Sequence, residues 1–343
     1  MPAKVRLDET VDTRTISRRA EQVIDVVRQG FNLHTLQWAP FNEKHAALGG
    51  APGAPLAPAA LPEPVGTGLR VRYQHGTMYQ RRDGGICYVY GAIGQRYDEL
   101  GGATSWLGLP LTDEADLPEG GRVTVFERGA VYWWPDVGAI DLNDVVLHYS
   151  GLICFGETDS DGDETPFEDE PYVILGLAAP TGTVDVRSQV YTDVDHGDTR
   201  PDSLELYRGR PSGVVIGVQL MEHDFGDPDK FKGRVVQFVK VASEGIEKGL
   251  EYIPLVGPVL SYGAEAILPY LEEPIADFLN TALDTDDDDL GRDVVTLSVK
   301  QMVVLAARTT NTHHYGVEFK VETRLLGSGQ GASYKVCFSL GGV

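Results

Sequence analysis

The chain repeats itself, and that bounds what its first half can fold into. FNEKHAALGGAPGAPLAPAALPE (41–63) aligns with IGQRYDELGGATSWLGLPLTDEADLPE (93–119), and VRYQHGTMYQR (71–81) aligns with VTVFERGAVYWW (123–134). Leu48-Gly49-Gly50 falls on Leu100-Gly101-Gly102, Gly76 on Gly129 and Tyr79 on Tyr132, a period of a little over fifty residues. A tandem unit of this size is one supersecondary element that buries its apolar face against a neighbour. Each copy reads as a short helix, a Gly/Pro-rich turn and a two-stranded hairpin carrying aromatics.

The flanks of the repeat have a different texture. From Thr15 to Gln29 the apolar residues Ile16, Ala20, Val23, Ile24 and Val27 recur at helical spacing, with Gly30 as a stop. After about Val145, apolar alternating segments appear at 145–155, 171–179, 182–194, 203–208, 213–223, 293–306, 315–326 and 332–340. In GVEFKVETRLL, Val317, Phe319 and Val321 share one face and Glu318, Lys320 and Glu322 the other. Eight such segments predict an eight-stranded antiparallel β-sandwich. Residues 235–283 carry helical periodicity broken at Pro254–Pro258 and read as an inserted helical hairpin. The fold class is therefore α+β and multidomain. It comprises an N-terminal segment and helix (1–40), two small repeats (41–144) and a sandwich with a helical insertion (145–343).

The second copy resembles the LGFP repeat, through LGG (100–102), WLGLPLTDE (106–114) and FERGAVYWWPDVGA (126–139). The first copy is degenerate, with APLAP (54–58) where the signature falls. LGFP repeats are associated with actinobacterial cell-envelope proteins. The resemblance implies attachment to a cell-wall or envelope polysaccharide. Tyr132, Trp133 and Trp134 are the candidate carbohydrate-binding residues, because an aromatic ring can lie on a sugar face while its polar edge stays wet. The alternative is that such aromatics, Trp106 above all, form the small core of each repeat.

Charge is the other constraint. Fifty-one acids face 29 bases, a net charge of −22, which repels nucleic acid. The acids cluster in ETDSDGDETPFEDE (157–170), TDVDHGD (192–198), EHDFGDPDK (222–230) and DTDDDDLG (284–291). Carboxylates gathered at one end of a sandwich repel one another without a counter-ion. Calcium, which takes six to eight oxygen ligands on adaptable loops, suits them. The first cluster is not an EF-hand: Glu164 stands where that loop needs glycine, and Pro166 interrupts it. Asp159 or Asp161, Gly162 and DEPYV (169–173) instead resemble the first calcium loop of the C-two domain, the calcium-dependent lipid-binding sandwich. Glu222, Asp224 and Asp288 resemble its third loop, Glu222 standing where the family has Asp. The implied calcium ligands are Asp159, Asp161, Asp169, Glu222, Asp224 and Asp288. Asp288 reaches the site only if the two ends of the helical insertion meet.

Cys87, Cys154 and Cys337 form no disulfide framework or zinc pattern. The N-terminus lacks the apolar core of a secretory signal, so the resemblance implies the cell envelope or exterior by a non-classical route. A non-catalytic, calcium-binding envelope protein is the leading expectation. A calcium-dependent membrane-active or toxin-like protein using residues 235–283, with membrane lipid as partner, is the first alternative. A metal-dependent hydrolase is the second, although no nucleophile elbow, zinc-protease motif, phosphate loop or dinucleotide fingerprint occurs.

Overall fold

The aligned tyrosines Tyr79 and Tyr132 sit in the third strands of two separate four-stranded sheets. The structure is a computed structural model that describes residues 22, 33–157, 169–223, 289–327 and 331–343. The expected helix at 15–29, apart from Gln22, and the expected helical insertion at 235–283 lie outside these residues. The described chain is mainly antiparallel strand with three α-helices, an α+β protein. It divides into two compact units, Met1–Glu114 and Ala115–Val343.

In the first unit, helix α1 (33–47) precedes strands β1 (Glu63–Val65), β2 (Gly68–Tyr73), β3 (Gly76–Gln80) and β4 (Ile86–Val89), paired in that order, and helix α2 (Gly91–Glu99) follows. Strand alternation sends Val71, Met78 and Tyr88 to one face, where they form a core with Trp38 and Phe41 of α1. It sends Tyr79 to the other face, where its ring meets Tyr97 of α2 edge-on at 5.5 Å. Both helices exit through a Leu-Gly-Gly turn. Gly49 and Gly50 have φ of 60° and 79°, and Gly101 and Gly102 have 105° and 61°, the left-handed region that favours glycine at a helix end. The repeated unit therefore holds a four-stranded sheet and not the expected two-stranded hairpin. The added outer strands are only three to five residues long, too short for alternation to stand out.

The second unit opens with the matching sheet: β5 (Ala115–Leu117), β6 (Gly121–Val125), β7 (Ala130–Trp134) and β8 (Gly138–Leu142). Two more four-stranded sheets follow. One has the order β11 (Gly182–Arg187), β10 (Pro171–Ala179), β13 (Val214–Glu222), β14 (Asp289–Leu297). The other has the order β12 (Thr199–Gly209), β9 (Val145–Gly156), β18 (Ser333–Gly342), β17 (Val321–Glu322). Every pairing is antiparallel. Val173, Leu175, Ile216 and Val218 of the first share one hydrophobic cluster with Leu147, Tyr149, Val336 and Phe338 of the second. The register slips where β9 meets β12 and β18 near Gly151. A Cβ there would lie 2.4 Å from the Arg200 carbonyl, so only glycine permits the approach.

Two expected strands are corrected. The 293–306 run stays extended only to Leu297 and then forms helix α3 (Val299–Ala307). Ser298 stops the strand and starts the helix. Its Oγ accepts from Gln301 N at 3.2 Å, while Gln301 Oε1 accepts from Ser298 N at 2.8 Å, a reciprocal capping box. Ser298→Ala is expected to cost about 1 kcal/mol, read as a lower urea midpoint at unchanged slope, with Ser298→Thr close to wild type. The 315–326 run keeps its alternation but splits. β16 (Val317–Phe319) pairs with β15 (Thr312–His314), and β17 pairs with β18.

α3 packs against β8 and the turn at Pro118–Gly120. Lys300 bridges Glu119 at 3.0 Å and Asp136 at 2.9 Å, and Ser298 Oγ donates to Glu119 at 3.2 Å. Glu119 takes φ of 56°, a conformation that a non-glycine residue keeps only when its surroundings hold it. Met302 and Val303 of α3 join Tyr132 and Trp134 in the cluster shared with the two larger sheets. A helix thus lies on the Tyr132 side of this sheet, as α2 lies on the Tyr79 side of the first.

Candidate functional site

The first unit holds a cavity of about 500 Å³ between the β2–β3 turn, the β4–α2 junction and one face of α2, a size typical of small-ligand sites. Gly91, Gly94, Gln95 and Asp98 fall at i, i+3, i+4 and i+7, so they share that helix face. Two of the four are glycines, which keeps the wall low. Tyr79 and Tyr97 are fully buried behind it, and the Tyr97 hydroxyl donates to the Gly108 carbonyl. Tyr90 stands at the rim, 37% exposed, stacked on Tyr88 at 4.7 Å with its hydroxyl donating to Glu114 at 3.0 Å. The Tyr88 hydroxyl donates to the His75 carbonyl at 2.7 Å and fixes the opposing turn.

The polar groups of the cavity are not equivalent. Glu99 accepts from Gln95 Nε2 at 3.0 Å and from Arg96 Nη1 at 3.5 Å. Among the described residues no hydrogen bond or ion pair reaches the Asp98 carboxylate, which is exposed. Burial first, and the Asp98 charge second, push the Tyr79 hydroxyl up to about 12, so Tyr79 is a neutral phenol at any physiological pH. Aromatic surface, an amide, and a carboxylate with unused acceptors can receive hydroxyl donors. They present no nucleophile with an adjacent base.

Two sheets with the same strand order, the same Leu-Gly-Gly exit and the same buried tyrosine in the third strand decide what the repeated unit resembles. Residues 53–105 and 107–147 match the LGFP repeat. The two LGFP repeats cover under half of the chain and suggest a cell-envelope-associated role. No curated protein matches the chain.

Within the second LGFP repeat, Tyr132 is 2% and Trp134 0% exposed, their rings parallel at 6.3 Å. Trp134 Nε1 donates to the Pro118 carbonyl at 3.1 Å. Neither presents a free ring face. Trp133, half-buried, points to the opposite side of the sheet beside Arg122 and Ala139. Trp106 is exposed. The cavity of the first repeat was not foreseen. Its nearest sequence signal is GAIGQRYDE (91–99), a helical face of two glycines, Gln and Asp following an aromatic strand.

Strand pairing brings the described margins of the acidic stretches, and only those, next to one another in the two larger sheets. Pro171 pairs with Glu222, and Met221 pairs with Asp289. His223 N donates to the Glu170 carbonyl at 3.2 Å. Asp169 bridges Val194, and Cys154 N donates to the Asp198 carbonyl at 2.9 Å. The residues flanking 224–288 therefore lie side by side. Asp169 is fully buried, and its carboxylate accepts the Tyr334 hydroxyl of the other sheet. Burial first, then that carboxylate, hold the Tyr334 hydroxyl far above its ordinary value. Glu222 is half-buried at the end of β13. Asp198 is engaged by Arg200 at 3.0 Å, and Arg200 also holds the Thr192 and Asp193 carbonyls. His196 Nδ1 meets the Phe155 carbonyl at 2.7 Å. Asp159, Asp161, Asp224 and Asp288 lie outside the described residues. Among the described residues no group of three or more His, Cys, Asp or Glu is arranged to hold an ion, and no helix is long and apolar enough to cross a membrane.

Proposed function

We propose that the protein is a non-catalytic attachment protein that binds a cell-envelope polysaccharide through its LGFP repeats. The observation that carries this is the first-repeat cavity of about 500 Å³ lined by Tyr79, Tyr90, Tyr97, Gln95, Asp98 and Glu99. It offers what a sugar needs, the partly exposed ring of Tyr90 and acceptors for hydroxyl groups. Retention of the full chain on envelope polysaccharide tests the proposal; passage through such a column unretained would sink it.

The C-two-like half is proposed to bind calcium through Asp159, Asp161, Asp169, Glu222, Asp224 and Asp288. Supporting this, the described ends of the acidic stretches are neighbours, and all the donors are hard oxygens. The Tyr334 hydroxyl is placed to orient the Asp169 carboxylate, as an outer-shell donor does for a ligand. Calcium at about 100 times its dissociation constant stabilises by about 2.7 kcal/mol. That predicts a melting rise of about 5–10 °C in a unit of this size, reversed by chelator and lost in Asp224→Asn. Calorimetry showing the same melting with calcium and with chelator would eliminate calcium.

A further inference from the structure

We infer that the first-repeat cavity selects uncharged sugar units over anionic ones, an inference that rests on the attachment proposed above. Its lining contains two carboxylates and neither lysine nor arginine. Glu99 is already answered by Gln95 and by Arg96 from outside the lining. Asp98 keeps its charge and its acceptor oxygens for whatever enters. A carboxylate accepts two O–H donors side by side, so a sugar diol satisfies it. The anionic group of a phosphorylated, sulfated or uronic sugar brings only acceptors and a like charge to the same oxygens. The net charge of −22 adds long-range repulsion of anionic polymer, screened beyond about 8–10 Å at ordinary salt.

Ring surface completes the selection. Tyr90 offers a partly exposed ring held by its stack on Tyr88 and its bond to Glu114. Tyr79 stays neutral because burial opposes phenolate. Gly91 and Gly94 leave the helix face without side chains, so a flat ring can approach the backbone between Tyr90 and Asp98.

The test uses the full chain and envelope polysaccharide separated by anion exchange into an uncharged and an anionic fraction. The uncharged fraction is expected to be retained, with little change between about 50 mM and about 500 mM salt. Asp98→Ala is expected to weaken that retention about tenfold or more, since it removes hydrogen bonds to a charged acceptor. Because Asp98 is exposed on a helix and alanine is a good helix former, the variant should melt as wild type. Asp98→Asn, which removes the charge and turns one acceptor oxygen into an N–H donor, should narrow the preference between the fractions. Preferential retention of the anionic fraction, or undiminished binding by Asp98→Ala, overturns the selectivity while leaving attachment intact. Retention of neither fraction overturns attachment, and the selectivity with it.

Discussion

Trp134→Ala is expected to destabilise the unit spanning Ala115–Val343 by about 3–5 kcal/mol, the usual cost of emptying a buried aromatic site. The indole is completely buried, hydrogen-bonded to the Pro118 carbonyl and parallel to Tyr132. It lies so close over Gly121 that a Cβ there would fall 2.3 Å from Nε1. Its neighbours are therefore backbone and helix, which collapse poorly into a void. Urea unfolding should show a lower midpoint. Trp133→Ala, on the half-buried side of the same strand, should move it by about 1 kcal/mol or less. A Trp134→Ala protein of unchanged stability that no longer binds polysaccharide would instead make this ring a sugar platform.

Raising the pH past about 10 is expected to unfold the pair of larger sheets. Burial is the first cause that lifts the hydroxyls of Tyr149, Tyr191 and Tyr334 well above their ordinary 10.0, and it lifts the Cys337 thiol from 9.0 to about 12. Tyr149 and Tyr191 share a hydrogen bond of 3.0 Å, and Tyr191 passes its own to Asp202. Each of these acids is held protonated in the folded chain and ionises freely in the unfolded one. Their stabilising contribution is complete below the unfolded values, 9 for the thiol and 10 for the phenols. It then falls as pH rises towards the folded values. At about 1.4 kcal/mol per group per pH unit, the four together cost up to about 7 kcal/mol at pH 11. That is comparable to the about 5–15 kcal/mol that holds a domain together. The part of the tyrosinate absorbance that comes from the buried phenols should appear in the same cooperative step as the loss of circular dichroism, separate from that of exposed tyrosines such as Tyr315. Phenols that ionise near 10 while the fold persists would refute their burial.

How much of this was legible depends on how far apart the deciding residues are. Repeat phase could be read because Leu-Gly-Gly and the third-strand tyrosine are local signals with local causes: two left-handed glycines and one buried ring. Strand existence after Val145 was equally local. Helix α3 was hidden because VVTLSVKQMVVLAA is rich in apolar and β-branched residues on both sides of the boundary. Only the Ser298…Gln301 spacing betrayed the change from strand to helix. Whether Tyr132 and Trp134 face water could not be read from alternation, because Met302 and Val303 arrive from a distant part of the chain. The cavity escaped for the same reason: a turn, a strand end and a helix face meet only in three dimensions. Asp169 was visible as an acid, yet its tyrosine partner lies 165 positions away.

Helix α3 occupying the Tyr132 side of the second repeat sheet has a consequence for growth. A further LGFP copy added after residue 147 would need that surface, and it is already sealed by Met302, Val303 and the Lys300 bridges. In stacked-repeat proteins a covered end surface is a terminator that stops propagation. On the proposed attachment, tighter grip on a polysaccharide would come from several molecules bound along one strand.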